Sequence, residues 1–159
     1  VDMLSHSKTE MEMIKELASN DKAYRSLTYS WFINSPLFEI IKSASEYGFK
    51  LIITTDHGTI NVKNPTKIIG DRNTSQNLRY KTGRSLTCNE KDNLIFNNPH
   101  EILLPKTSLN SSYVFAKEDF YLVYPNNYNH YSNYYKNTYQ HGGVSMEEMI
   151  IPFIVLNPK

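Results

Sequence analysis

The sequence predicts an α/β fold with a central sheet flanked by helices, and two observations lead to this class. Amphipathic helical segments come first and are followed by a β-branched, apolar stretch over residues 49–55 (FKLIITT), which is typical of a buried strand. Several short strand-like segments then follow toward the C-terminus. This order is compatible with α/β or α+β, and the alternation of helices and strands favours α/β.

The first third of the chain predicts three helices. Apolar residues at helical spacing predict a short helix over 9–17, and Asp21 can cap a second helix that runs to about Phe32. Ser35 and Pro36 predict the start of a third helix, because serine caps a helix N-terminus and proline suits its first turn. Gly48 predicts its end.

The rest of the chain predicts short strands around a long loop. The polar segment 59–87 predicts a loop after a short strand at 60–62. Ser145 and Glu148 form the S-x-x-E pattern of a capping box and predict a short helix over 146–149. The other predicted elements are strands at 93–96, 113–116, 121–124 and 150–156 and a helical turn within 99–104.

Composition excludes several classes of protein. The formal net charge of the 159 residues is +1, so no overall field attracts nucleic acid or membrane. The single cysteine, Cys88, excludes an internal disulfide framework and fits a reducing, cytoplasmic compartment. No apolar run is long enough for a membrane span, and no signal-peptide pattern opens the chain. The opening residues, without an initiator methionine, indicate a piece of a longer protein.

Three short motifs carry candidate metal ligands. Asp2 and His6 are four residues apart, a spacing that brings both to one point on a helix. Asp56 and His57 follow the predicted strand at its carboxyl end, where ligands bind in open α/β sheets. His141 precedes two glycines. Each motif alone also fits a structural role: a helix-capping Asp, a turn after a strand, or a surface histidine on a Gly-Gly turn.

A basic cluster and many tyrosines are candidates for substrate contacts. Arginine forks match phosphate oxygens, and Tyr80 within the cluster could stack on a base. A solvated loop of mixed charge is the alternative, since Asp71 is adjacent. Seven tyrosines within 121–139 could stack on bases or pack on the sheet, and packing is favoured. The members of the basic cluster are Arg72, Arg79, Lys81 and Arg84.

The order Asp-x-x-x-His, Asp-His-Gly and a late His-Gly resembles the metal signature of the alkaline phosphatase superfamily. The resemblance implies two zinc ions. Asp2, His6 and His141 would bind one of them, and Asp56 and His57 would bind the other. The family's remaining Asp ligand and its nucleophilic Ser or Thr have no counterpart here and are expected before Val1. The chain alone is therefore expected to lack catalytic activity.

Longer stretches resemble the PglZ domain that forms the effector module of PorX-type bacterial response regulators. These are TDHGTI, IIGDR, NLRYKTGR, YPNNYNHY and YQHGGVSMEEMIIPF, and the resemblance spans essentially residues 1–159 as the C-terminal part of such a domain. It implies a zinc-dependent phosphodiesterase that acts on oligonucleotide-type substrates, with a receiver domain as partner in two-component signalling. The alternative is a degenerate PglZ fold that acts as a protein-interaction module. Homodimerisation is also expected, since an incomplete sheet exposes an edge.

Overall fold

The computed structural model describes residues 21–71, 74–106 and 108–158, which form two compact units. The first unit contains the described residues up to Thr54 and from Pro152 onward, and the second runs from Thr55 to Ile151. The helices are α1 (Asp21–Ile33), α2 (Pro36–Glu46), α3 (Tyr128–Tyr135) and α4 (Met146–Met149), with a 3-10 turn at Pro99–Ile102. The strands are β1 (Leu51–Thr54), β2 (Ile60–Asn61), β3 (Asn64–Ile69), β4 (Tyr80–Arg84), β5 (Thr87–Cys88), β6 (Asn93–Phe96), β7 (Ser111–Ala116), β8 (Phe120–Val123), β9 (Tyr139–Gln140) and β10 (Phe153–Leu156).

Helix α2 of the first unit begins and ends where its sequence predicts. The Ser35 side chain accepts a hydrogen bond from the backbone N–H of Phe38 at 3.4 Å, and Pro36 occupies the first helical turn. Gly48 follows the helix with φ of 75°, a left-handed conformation that glycine adopts without steric cost. The prediction of α1 is also confirmed, whereas the helix predicted over 9–17 lies outside the described residues.

Strand β1 is less buried than its β-branched sequence predicts. It pairs antiparallel with β10, and Ile53 lies opposite Ile154. Burial alternates along the strand, so that Ile52 is 57% exposed while its neighbours Leu51 and Ile53 are partly buried. The prediction of a fully buried strand is therefore wrong. In the described part of the chain β1 has one partner strand and carries the half-buried alternation of an antiparallel edge.

The second unit is built on small sheets. Strand β7 lies between β4 and β6 in an antiparallel sheet, and β3 lies between antiparallel β5 and parallel β8. Strands β2 and β9 form a further antiparallel pair. The α/β class is confirmed, with the strands of the described residues divided among several small sheets.

Two clusters of buried apolar residues stabilise the second unit. Residues of β3, β7 and β8 together with Leu86, which lies between β4 and β5, form the first, and residues around β2 and β8 form the second. The first contains Ile68, Leu86, Val114, Ala116 and Leu122. The second contains Ile60, Val62, Tyr121 and Val123. Strand β8 contributes to both clusters and so joins the two parts of the unit.

The segment 59–87 is not the long loop that its polar composition predicts, because it contains β3, β4 and β5. In β3 the side chains of Thr66 and Ile68 point inward, and Lys67 between them faces outward. The predicted strands at 93–96 and 121–124 correspond to β6 and β8, and the capping box correctly predicts α4. No described helix has the length and apolar character needed to cross a membrane.

The tyrosine-rich stretch forms α3 and packs through its hydroxyls. Tyr121 donates a hydrogen bond to the carbonyl oxygen of Ser132, and Tyr128 donates one to that of Pro65 at 3.2 Å. These contacts fix α3 against β3 and β8. They support the packing interpretation for these tyrosines, whose polar ends are satisfied by backbone carbonyls.

Candidate metal centre

The Asp56-His57-Gly58 turn opens the second unit and is held by hydrogen bonds at each residue. The hydroxyl of Thr55 donates to the carbonyl oxygen of His57 at 2.9 Å, and the N–H of His57 donates to Oδ1 of Asp56 at 3.1 Å. The N–H of Gly58 donates to the carbonyl oxygen of Glu148 at 2.8 Å. The turn is therefore anchored to helix α4, which lies 90 residues further along the chain.

The donor atoms of Asp56 and His57 lie close together. Nδ1 of His57 lies 2.9 Å from the carbonyl oxygen of Gly58, so a proton on Nδ1 satisfies that oxygen and leaves Nε2 with its lone pair. Nε2 lies 3.7 Å from Oδ1 of Asp56. This separation is less than twice a zinc–ligand bond of about 2.1 Å, so both atoms can reach the same ion. An oxygen and a nitrogen donor suit zinc, manganese and other borderline divalent cations.

The carboxylate of Asp56 is exposed and ionised at neutral pH. Its pKa lies below the ordinary value, chiefly because its own backbone N–H stabilises the charge, with a further contribution from His57. An exposed carboxylate is available to a ligand from solvent, while the imidazole of His57 is only 27% exposed.

Pairing of β2 with β9 brings His141 to this turn. Ile60 lies opposite Gln140 in the register of the two strands, so the residues that precede β2 and follow β9 are neighbours. The rings of His57 and His141 stack with their centroids 3.8 Å apart and their planes 9° from parallel. Two of the three predicted motifs thus meet, although 84 residues separate their histidines.

Glycines are required on both sides of this pair because the backbones approach closely. A Cβ on Gly58 would lie 1.9 Å from the carbonyl oxygen of Glu147. A Cβ on Gly143 would lie 2.8 Å from Nη2 of Arg79 and from Oε2 of Glu148. The glycines of both motifs therefore allow the turn and the His-Gly-Gly loop to contact α4 and the buried pair beneath it.

A buried ion pair between Arg79 and Glu148 underlies the site. The side chains are 0% and 2% exposed, and they meet through two parallel hydrogen bonds of 2.9 and 2.8 Å. Nη1 of Arg79 also donates to the carbonyl oxygen of Phe120. Glu148 accepts three further bonds: from the N–H of Gly143 at 2.8 Å, from the N–H of Ser145 at 3.1 Å and from the hydroxyl of Ser145 at 2.7 Å.

These contacts keep Glu148 ionised despite its burial. Burial alone would raise its pKa, but hydrogen bonds from Arg79, Ser145 and Gly143, together with the positive charge of Arg79, outweigh that effect and lower it. The buried ion pair thus anchors the loop that carries His141, because Glu148 accepts a hydrogen bond from the N–H of Gly143.

Glu148 is a positioning residue that the sequence analysis did not assign. Its carboxylate binds the N–H of Gly143, two residues after His141, and its backbone carbonyl binds the N–H of Gly58, next to His57. One residue therefore holds the loops of both histidines. The S-x-x-E pattern predicted that Glu148 caps α4. Its short distance in sequence from Gly143, five residues, is the signal that could have indicated its contact with the loop of His141.

The predicted basic cluster does not form one exposed surface in the described structure. Arg79 is fully buried in its ion pair, and Lys81 is 1% exposed on β4. Arg84, at the end of β4, is exposed. Arg72 lies outside the described residues. Phosphate binding by these side chains stays a prediction, and in this arrangement Arg84 is the described member open to solvent.

The first predicted motif, Asp2 and His6, also lies outside the described residues. Within the part of the chain that is described, no group of three or more His, Cys, Asp or Glu side chains is placed to hold a metal ion. The described part contributes the pair Asp56 and His57 and, stacked on it, His141.

Comparison with known proteins gives one family. The family model described as the BREX system PglZ alkaline phosphatase-like domain matches residues 1–156. No curated protein matches the chain. The matched range includes all three motifs and the Arg79–Glu148 pair.

Proposed function

The chain belongs to the PglZ alkaline phosphatase-like domain family, and on that premise we propose that it forms part of a zinc-dependent phosphodiesterase. The family is of phosphoesterase type. The observation that carries the proposal is the meeting of the Asp56-His57 turn with His141, whose ring stacks on that of His57 at 3.8 Å.

The metal assignment is the one that resemblance to the alkaline phosphatase superfamily implies. Asp56 and His57 hold one zinc ion in this proposal, while His141 holds a second with Asp2 and His6. The stacked rings of His57 and His141 bring one ligand of each proposed ion close together. Two bound metals would stabilise the charge that develops on the attacking and leaving oxygens of a phosphate ester.

The residues of this chain have distinct tasks in the proposed reaction. Asp56 presents an ionised carboxylate, and Gly58 fixes the tautomer of His57 that leaves Nε2 free. Glu148 positions the loops of both histidines through its hydrogen bonds with Gly143 and Gly58. The exposed Arg84 can contact phosphate oxygens of the substrate.

We propose oligonucleotide-type phosphodiesters as substrates and the output of a two-component response regulator as the biological setting. Arginine on β4 suits a phosphate backbone, and the half-buried Tyr80 lies beside the site, since a Cβ on Gly142 would be 3.0 Å from its ring. Base stacking on Tyr80 would therefore place an adjacent phosphodiester near the histidines.

Zinc titration of the metal-free chain by isothermal calorimetry tests the metal assignment. We expect saturable zinc binding. The single variants His57→Ala and His141→Ala should each bind zinc at least 10-fold more weakly than the wild type. His100→Ala is the matched control, because His100 is exposed on the 3-10 turn and belongs to no motif. Equal affinity in all variants would refute the assignment.

Hydrolysis of bis(p-nitrophenyl) phosphate by the full-length native protein tests the reaction. We expect zinc-dependent turnover that is lost in His57→Ala and His141→Ala and kept in His100→Ala. Zinc binding without hydrolysis of this ester or of a short oligonucleotide would favour the protein-interaction module instead.

A further inference from the structure

A cavity of about 410 Å³ in the second unit contains a buried lysine. Lys81 lines it from β4 and is 1% exposed. Tyr124, Tyr131 and Tyr135 line other parts of its wall. The volume is that of a pocket for a small organic ligand. The cavity does not include the candidate metal ligands Asp56, His57 or His141.

The ammonium group of Lys81 has no counter-ion within the part of the chain that the structure describes. Among the described residues its charge contact is with the ring of Tyr124, whose centroid lies 4.5 Å from Nζ. None of the ion pairs in the described residues includes Lys81. A buried charge without a partner is costly, and such a group in a cleft is a candidate for a ligand-binding site.

Among the described residues, the titratable groups near Lys81 are the tyrosines of the cavity and Asp71, whose charge acts on Tyr124 but which forms no ion pair with Lys81. The cavity presents three tyrosines to it, and burial raises the pKa of Tyr124 and of Tyr135, so both stay neutral. Burial also lowers the pKa of Lys81 itself to about 8, which leaves the ammonium charged at pH 7 and easily deprotonated above pH 8. An anion that entered the cavity would meet a positive charge weakly screened by water.

The remaining wall favours a planar ring. The rings of Tyr131 and Tyr135 lie 6.1 Å apart and 15° from parallel, and Tyr131 is 40% exposed at the cavity. Aromatic faces of this kind stack on nucleobases. The exposed amides of Gln76 and Asn126 also line the cavity and can hydrogen-bond to base edges.

We propose that this cavity binds a nucleoside monophosphate, with the phosphate at Lys81 and the base against Tyr131 and Tyr135. The site goes beyond the proposed phosphodiesterase and does not rest on it, because no metal ligand takes part. It lies next to the candidate metal centre along the chain: Gln76 and Leu78 line the cavity, while Asn77 between them approaches Gly142. A mononucleotide in the cavity would therefore contact the segment 76–78, which also approaches the His-Gly-Gly loop.

Calorimetric titration of the chain with AMP at pH 7 in EDTA tests the proposal independently of any metal. We expect saturable binding that weakens at least 10-fold in Lys81→Met, which keeps the length and apolar stem of the side chain. Lys63→Met is the matched control, because Lys63 is an exposed lysine outside the cavity and should not affect binding. Adenosine and inorganic phosphate should each bind at least 10-fold more weakly than AMP.

Two further measurements keep the test decisive. Tyr131→Ala, at an exposed position, should weaken AMP more than inorganic phosphate. Affinity for AMP should fall about 10-fold per pH unit above pH 8 as Lys81 loses its proton, since the phosphate, with a second pKa near 6, is already doubly ionised. Absence of AMP binding at millimolar concentration, or equal affinity in folded Lys81→Met, would overturn the proposal.

Discussion

Replacement of Glu148 by glutamine removes the negative charge of the buried pair and keeps the size of the side chain. The carboxylate accepts five hydrogen bonds, from two nitrogens of Arg79, the N–H of Gly143 and both donors of Ser145. A glutamine has one acceptor oxygen, and its amide group would face donors on the other side. The Arg79 guanidinium, 0% exposed, would be left without a counter-charge.

The expected loss in the free energy of unfolding is about 3–5 kcal/mol, the usual cost of breaking a buried pair by removing one partner. This is a large part of the roughly 5–15 kcal/mol that stabilises a typical domain. Because Glu148 also holds the loops of both histidines, we expect zinc affinity to fall by about 10–100-fold, as when a residue that orients metal ligands is removed.

Urea unfolding, followed by circular dichroism, and zinc calorimetry measure the two effects on the same variant. Glu147→Gln is the matched control, since Glu147 is the exposed neighbour on α4 and should change neither quantity. A loss of less than about 1 kcal/mol in the free energy of unfolding of Glu148→Gln would refute the argument that the ion pair stabilises the fold. Unchanged zinc affinity in a destabilised variant would refute the positioning role alone.

Four further predictions follow from burial and pKa. The low pKa of Glu148 stabilises the fold above about pH 4.5, so unfolding free energy should fall as pH drops below that value, and Glu148→Gln should lack this component. Lys81→Met should raise stability at pH 7 by up to about 3 kcal/mol. Between pH 8 and 10.5 the unfolded wild type binds more protons than the folded one, so the wild type becomes more stable as pH rises and the advantage of Lys81→Met should shrink. A constant advantage in urea titrations over this range would contradict the prediction. The pKa of Cys88 is raised to about 11, first by burial and then by nearby acids, so at pH 8 iodoacetamide should react about 100-fold more slowly than with the urea-unfolded chain. Gly58→Ala should destabilise the fold by about 1–3 kcal/mol in urea titrations, because its Cβ would overlap the carbonyl of Glu147; wild-type stability would contradict the close approach.

Local signals in the sequence predicted the helix boundaries well. Ser35 and Pro36 mark the start of α2, and Ser145 with Glu148 marks that of α4, because caps act within one helical turn. The segment 59–87 was misread because its strands carry polar residues, such as Thr66 and Lys81, at inward positions where apolar residues define the usual alternation.

Family resemblance assigned His57 and His141 to the two zinc ions of one site, and the structure stacks their rings although the sequence itself gives no sign of this contact. The pairing of Arg79 with Glu148 was not predicted, because 69 residues separate the two and no local pattern links them. An arginine in a polar, basic segment looks like a surface phosphate contact. Its burial depends on the packing of β4, β8 and α4 around it, which sequence spacing alone does not reveal.

The central claim is that Asp56, His57 and His141 are metal ligands, and an anomalous difference map at the zinc edge tests it most directly. Crystals of the chain soaked in zinc should show a peak within bonding distance of Oδ1 of Asp56 and Nε2 of His57, and a second at His141. Ordered side chains in the same positions, with no peak at saturating zinc, would contradict the metal centre and favour a PglZ fold that acts through protein contacts.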